Sequence, residues 1–155
     1  MQTLAKTVST YATLFFSRYS DPPCNDSMRV FTTFACSLTV ANDDYYKYIE
    51  IRLSKDPAFL DKSLTEQFNR LSVVPFTDNT VKAGGQRWAV LLDGLDECKN
   101  EQNDQCRILD LISGSISHHP GATPFVWVIA SRPEAHLMNT LRRLKESFRD
   151  RPTKF

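Results

Sequence analysis

The chain has 155 residues, 41% of them hydrophobic, enough for one domain with a core and too few for two of ordinary size. Its 19 basic and 18 acidic residues leave a formal charge of +1, which excludes a broad electrostatic field for nucleic acid or an anionic membrane. Cys24, Cys36, Cys98 and Cys106 form no CxxC pair and follow no secretory leader, and no apolar run approaches the roughly 20 residues of a membrane span. A cytoplasmic protein with reduced thiols and no membrane span is expected.

Met1 to Ser20 contains Lys6, Arg18, several Ser and Thr and no acid, as a transit peptide does, but a helix followed by a strand accounts for it better. Leu4, Val8 and Tyr11 recur at helical spacing, and the compact run Thr13-Leu14-Phe15-Phe16 then suits a buried strand. Ser27 is placed to cap a second helix whose apolar face is Val30, Phe31, Phe34, Ala35 and Leu38. Asn42 is placed to cap a third, bearing Tyr45, Ile49 and Leu53 and interrupted at Asp56-Pro57. Ser63-Leu64-Thr65-Glu66 reads as a capping box for a fourth, with Leu64, Phe68 and Leu71 on one face.

From Pro75 to Gln86 the apolar period disappears and Pro, Asp, Asn and Gly84-Gly85 accumulate, which predicts an exposed loop. Trp88 to Leu92 and Phe125 to Ala130 are continuous apolar runs, as expected of central strands in a parallel sheet covered on both faces. Between them Cys106, Leu109, Ile112 and Ile116 predict a helix ending near Pro120-Gly121. After them Leu137, Leu141, Leu144 and Phe148 predict another, with Pro133 in its first turn. The order is that of an α/β fold with a parallel sheet and helical crossovers.

The segment richest in chemistry is AVLLDGLDEC, Ala89 to Cys98. A buried strand ends in Asp93, and Asp96 and Glu97 follow in the next turn. In an open parallel sheet ligands bind beyond the carboxyl ends of the strands, so Asp93 is placed to give Mg²⁺ a hard oxygen ligand beside a nucleotide. This is the logic of a Walker B segment, with Gly94 leaving room beside the phosphates. Glu97, then Asp96, are the candidates to polarise an attacking water. A second reading fits the motif equally: a solvated turn whose acids sit at a helix N-terminus, favoured by the macrodipole.

The strand FVWVIASRP ends in Ser131 and Arg132, next to the Asp93 strand if the two are neighbours. Arg132 there suits contact with a γ-phosphate, pairing with Asp96 or Glu97, or capping a helix.

The DGLDE strand end, the later SRP strand end, the early FFSR (Phe15 to Arg18) and KDPAFLDKSLTEQF (Lys55 to Phe68), in that arrangement, together resemble fungal NACHT proteins of the nephrocystin-3-like N-terminal type. These are signal-transduction (STAND) P-loop NTPases. The resemblance implies a three-layer αβα fold in which Asp93 is the Walker B magnesium ligand, Asp96 and Glu97 the catalytic acidic pair, and Arg132, with Ser131, sensor 1. It implies Mg and ATP as cofactors of the complete domain, with nucleotide exchange as a conformational switch. Residues 1–145 are then an incomplete NACHT domain, with Walker B at 89–97 and sensor 1 at 125–132, and 146–155 a basic tail.

The family's GxxxxGK[ST] loop is not present in the sequence, and Met1 falls inside the first helix of the family pattern. A sheet of about three strands, lacking the first strand and its Walker A loop, is therefore expected. In the related sheet order that strand lies beside Phe125 to Ala130, which would leave an apolar edge.

Two functions from different classes follow. One is a piece of an ATP-dependent signalling switch. The other is a degenerate interaction module that binds no nucleotide and associates with other protein domains or with itself. A zinc site from Cys98, Cys106, His118 and His119 matches no standard spacing. The basic tail from Arg142 to Lys154 is interrupted by Glu146 and Asp150, as in a solvated helix end, and gives no reason to expect nucleic acid.

Overall fold

A computed structural model describes residues 10–15, 26–85, 87–98 and 102–149. The chain is mixed α/β, mostly helical, around a small parallel sheet. Strands β1 (Thr10–Phe15), β2 (Trp88–Asp93) and β3 (Phe125–Ala130) lie in the order β1-β2-β3. The ladders align Phe15 with Asp93 and Asp93 with Ala130, so the three carboxyl ends sit at one level.

Central β2 is apolar up to its terminal Asp93 because both of its faces are covered: Val90 and Leu92 are fully buried, and Leu91 is 1% exposed. The similar run in β3 suits a central strand by composition, whereas the family resemblance leaves it as an apolar edge. Among the described strands it pairs with β2 alone, and Val126 is 48% exposed. An apolar run therefore marks β3 as a strand without fixing its place in the sheet.

Between β1 and β2 come α1 (Val30–Ala41), α2 (Asp43–Lys55), α3 (Leu64–Phe68), a π-helical turn (Asn69–Val73) and α4 (Val74–Thr77). Helix α5 (Gln102–His118) joins β2 to β3, and α6 (Ala135–Arg149) follows. Alternate residues of β2 and β3, namely Trp88, Phe125 and Trp127, meet an aromatic layer from the helices. Phe34 lies 5.0 Å from Phe125 in edge-to-face contact, Phe76 lies 5.0 Å from Phe125, and Phe31 lies 4.8 Å from Phe68, all between ring centroids. Each fully buried large side chain of this kind contributes about 1.5–3 kcal/mol.

The predicted faces of α1 and α2 are largely found: Val30, Phe31, Phe34, Ala35, Leu38, Tyr45 and Ile49 are buried, and Leu53 is half-buried. Asn42 caps α2 by accepting from the Tyr45 N–H at 2.8 Å. Ser27 does not cap α1. It donates to Asp104 Oδ2 at 2.7 Å, while Asp26 accepts from the Met28 N–H at 2.9 Å and opens a 3-10 turn ahead of the helix. The box at Ser63 is half formed: the Glu66 N–H reaches Ser63 Oγ at 3.4 Å, but the Glu66 carboxylate pairs with Arg70 one turn on.

The loop predicted from Pro75 begins too early. Pro75 and Phe76 are buried in α4, and Val81 folds back to donate its N–H to Pro75 O at 2.8 Å. Proline has no N–H, so the carbonyls of Leu71 and Arg70 lose the partner that an α- or π-helical step would supply. Tyr45 Oη donates to Leu71 O and Tyr48 Oη to Arg70 O, both at 2.8 Å. Two tyrosines from α2 thus let the helix run through a proline that sequence pattern alone reads as a stop. Burial raises the pKa of the Tyr45 hydroxyl well above its ordinary value, which keeps it a donor.

Other boundaries shift. Tyr11, assigned above to a helix, lies in β1, and the rest of that expected helix lies outside the described residues. Helix α5 buries Gln105, Ile108, Leu109 and Ile112, whereas Ile116 is exposed. Pro133 precedes α6 instead of entering its first turn, and Thr140 is buried where Leu141 was expected. Helix α6 continues past residue 145 to Arg149.

Candidate functional site

β2 ends at Asp93 because Gly94 takes a left-handed conformation, φ 77° and ψ 35°, open to glycine at little cost. The Gly94 N–H still donates to Ala130 O at 2.9 Å, one step beyond the strand ladder. Leu95, 1% exposed, anchors the 3-10 turn Leu95–Glu97, which the Glu97 N–H closes onto Gly94 O at 2.8 Å. Asp96 and Glu97 are thereby held next to the end of β3.

There they meet Ser131 and Arg132. The Arg132 backbone N–H donates to Asp96 Oδ1 at 2.9 Å, and Ser131 Oγ donates to the same oxygen at 3.1 Å. Arg132 Nε lies 3.6 Å from Asp96 Oδ2, and its Nη2 lies 3.3 Å from Glu97 Oε1. The Asp96 side chain is 7% exposed and that of Arg132 is 67% exposed. Burial pushes the Asp96 pKa up, but the hydrogen bonds from Arg132 N–H and Ser131 Oγ outweigh it and hold the carboxyl below its ordinary value.

Asp96 therefore serves as a latch between two strand ends. A carboxylate already accepting from a backbone N–H and a hydroxyl is a poor base. Asp96 is thus committed to the latch and not available to polarise water. Glu97 Oε1 meets the exposed Arg132 guanidinium, a contact between partly solvated charges worth about 0–1 kcal/mol.

Asp93 differs from both. It shares a face of β2 with Ala89 and Leu91, is half-buried, and takes part in none of the ion pairs among the described residues. A single hard carboxylate at a strand end suits Mg²⁺, which commonly combines one or two carboxylates with phosphate oxygens and water. Among the described residues no three His, Cys, Asp or Glu gather as a metal-binding group. A metal at Asp93 would complete its shell with phosphate and water. Cys98, Cys106, His118 and His119 form no such group either.

The acidic turn has a second support, from outside the DGLDE and SRP motifs. Gln105 of α5 donates through Nε2 to Asp96 O at 3.3 Å and to Cys98 O at 3.1 Å. Its signal was available: Gln105, Ile108, Leu109 and Ile112 share one helical stripe, so a polar residue stood on an apolar face.

The profile of the family described as nephrocystin 3, N-terminal, matches residues 1–132. The chain belongs to this family. No curated protein and no solved structure matches it. The nephrocystin 3 N-terminal match takes in Asp93, Asp96, Glu97 and Ser131 and ends on Arg132, so the whole latch between β2 and β3 falls inside it. Helix α6 lies beyond it.

Proposed function

We propose that this nephrocystin 3 N-terminal chain is the Walker B and sensor 1 portion of a NACHT-type P-loop NTPase, a three-layer αβα switch that binds and hydrolyses ATP with Mg²⁺ in its complete form. The observation carrying this reading is the convergence at one strand-end level of Asp93, outside every described ion pair, with an acid pair gripped by Arg132. A purely structural turn requires the latch but gives no reason for a third acid beside it.

In this reading Mg²⁺ would polarise the terminal phosphate for attack by water. Asp93 would hold the ion. Glu97 orients the water, and Asp96 fixes the turn so that both acids face the same end of the sheet. Arg132 is bound to the acids with its guanidinium largely exposed, poised to exchange Glu97 for a γ-phosphate. The phosphate cradle itself needs backbone N–H groups and a lysine from a GxxxxGK[ST] loop, which this sequence does not contain.

The test compares Mg-ATP binding by the chain as given with a version carrying a first strand and P-loop ahead of residue 1. Binding is expected in the longer form only. Micromolar binding by the short form would remove the need for a P-loop, and no binding by either would leave a non-catalytic interaction module as the better account.

A further inference from the structure

We infer that Gln105 and His136 form a relay fixing the acidic turn to helix α6, so that a shift of Asp96 and Glu97 is carried to that helix; its use as a nucleotide readout rests on the function proposed above. Gln105 is 6% exposed. Its Nε2 spans the turn by donating to the carbonyls of Asp96 and Cys98. Its Oε1 lies 2.5 Å from Nε2 of His136, in the first turn of α6. Because both carboxamide protons go to carbonyls, Oε1 must accept, and His136 carries a proton on Nε2. A flipped Gln105 would set its oxygen against two carbonyl oxygens.

Helix α6 is tied to the same turn by a second route. Arg132, which grips Asp96 and Glu97, stands three residues before Ala135, where α6 begins. The connections close a ring from Asp96 through Arg132 to α6, then back through His136 and Gln105 to the Asp96 carbonyl. A contiguous ring of this kind is the physical means by which displacement at one site reaches another. A γ-phosphate that draws Arg132 from Glu97 would loosen one tie while the relay still binds α6 to the turn. Gln105 and His136 are thus positioning residues.

Two other contacts between α5 and α6 supply controls. Thr140 Oγ1 donates to Cys106 Sγ at 3.2 Å, and Arg143 Nη2 donates to Asp110 Oδ1 at 2.6 Å. Both hold the helices together without involving the turn.

Amide hydrogen exchange on the full chain, without nucleotide, tests the relay at Glu97 and Cys98, whose N–H groups donate to Gly94 O and Leu95 O within the turn. His136→Ala is expected to speed exchange there about three- to tenfold, the range one lost buried hydrogen bond allows. Thr140→Val is expected to leave the rates unchanged, and His136→Gln, which keeps a donor for Gln105, to restore them. Wild-type rates in His136→Ala, or an equal rise in Thr140→Val, would overturn the relay. Failure of the nucleotide reading shows separately, as absence of Mg-ATP binding by the form that carries a P-loop.

Discussion

The Arg132 backbone N–H reaches Asp96 Oδ1 at 2.9 Å across a sequence separation of 36 residues, joining the ends of β2 and β3 through a side chain where the sheet ladder stops. The exposed guanidinium adds little beside this bond, since contacts between solvated charges are worth about 0–1 kcal/mol. Asp96→Ala removes the acceptor for two donors at once and should cost about 1–3 kcal/mol in urea unfolding. Arg132→Ala keeps the backbone bond and should cost less than 1 kcal/mol or so. Equal losses would mean that the guanidinium, and not the backbone, carries the latch.

The Asp96 carboxyl is held below its ordinary pKa, so its protonation opposes folding. The unfolded group titrates near pH ~4. Its stabilising contribution is therefore complete above that range and is lost as pH falls through the lower, folded value. Urea midpoints measured at neutral and strongly acidic pH should fall further for the wild type than for Asp96→Asn. Parallel falls in the two proteins would place the acid sensitivity elsewhere.

Tyr45→Phe should destabilise by about 1–3 kcal/mol, because Leu71 O would be buried with neither a helical N–H nor a hydroxyl to satisfy it. Replacing Pro75 by Ala in that background should recover part of the loss by restoring an N–H to the helix. Additivity of the two changes in a double-mutant cycle would refute the coupling.

Much of this architecture was legible in the residues. The limits of β3, the Asn42 cap, the faces of α1 and α2, and the encounter of Arg132 with Asp96 and Glu97 follow from periodicity and from carboxylates at a strand end. What escaped depends on partners distant in sequence. Pro75 reads as a break unless the hydroxyls of Tyr45 and Tyr48, more than 20 residues earlier, are known to take the freed carbonyls. Ser27 satisfies every local criterion for a cap, yet binds Asp104, 77 residues away. Gln105 interrupts an apolar stripe visibly, but its role emerges only when the turn at Asp96 to Cys98 is folded against it.

Gly94 sits at φ 77°, so Gly94→Ala should cost about 1–2 kcal/mol through left-handed backbone strain. The change should also displace the acidic turn. Thermal unfolding, together with the amide shifts of Asp96 and Glu97, measures both effects. A neutral substitution with unmoved shifts would show that the turn does not depend on this conformation.

Asp93, outside every described ion pair at the end of β2, is the residue proposed to hold magnesium at a nucleotide site. Calorimetric titration of ATP into the form that carries a P-loop, with and without Mg²⁺, tests it most directly when wild type and Asp93→Ala are compared. Mg²⁺-dependent tightening is expected in the wild type and its loss in Asp93→Ala, with folding intact by circular dichroism. Identical Mg²⁺ dependence in both proteins would contradict it.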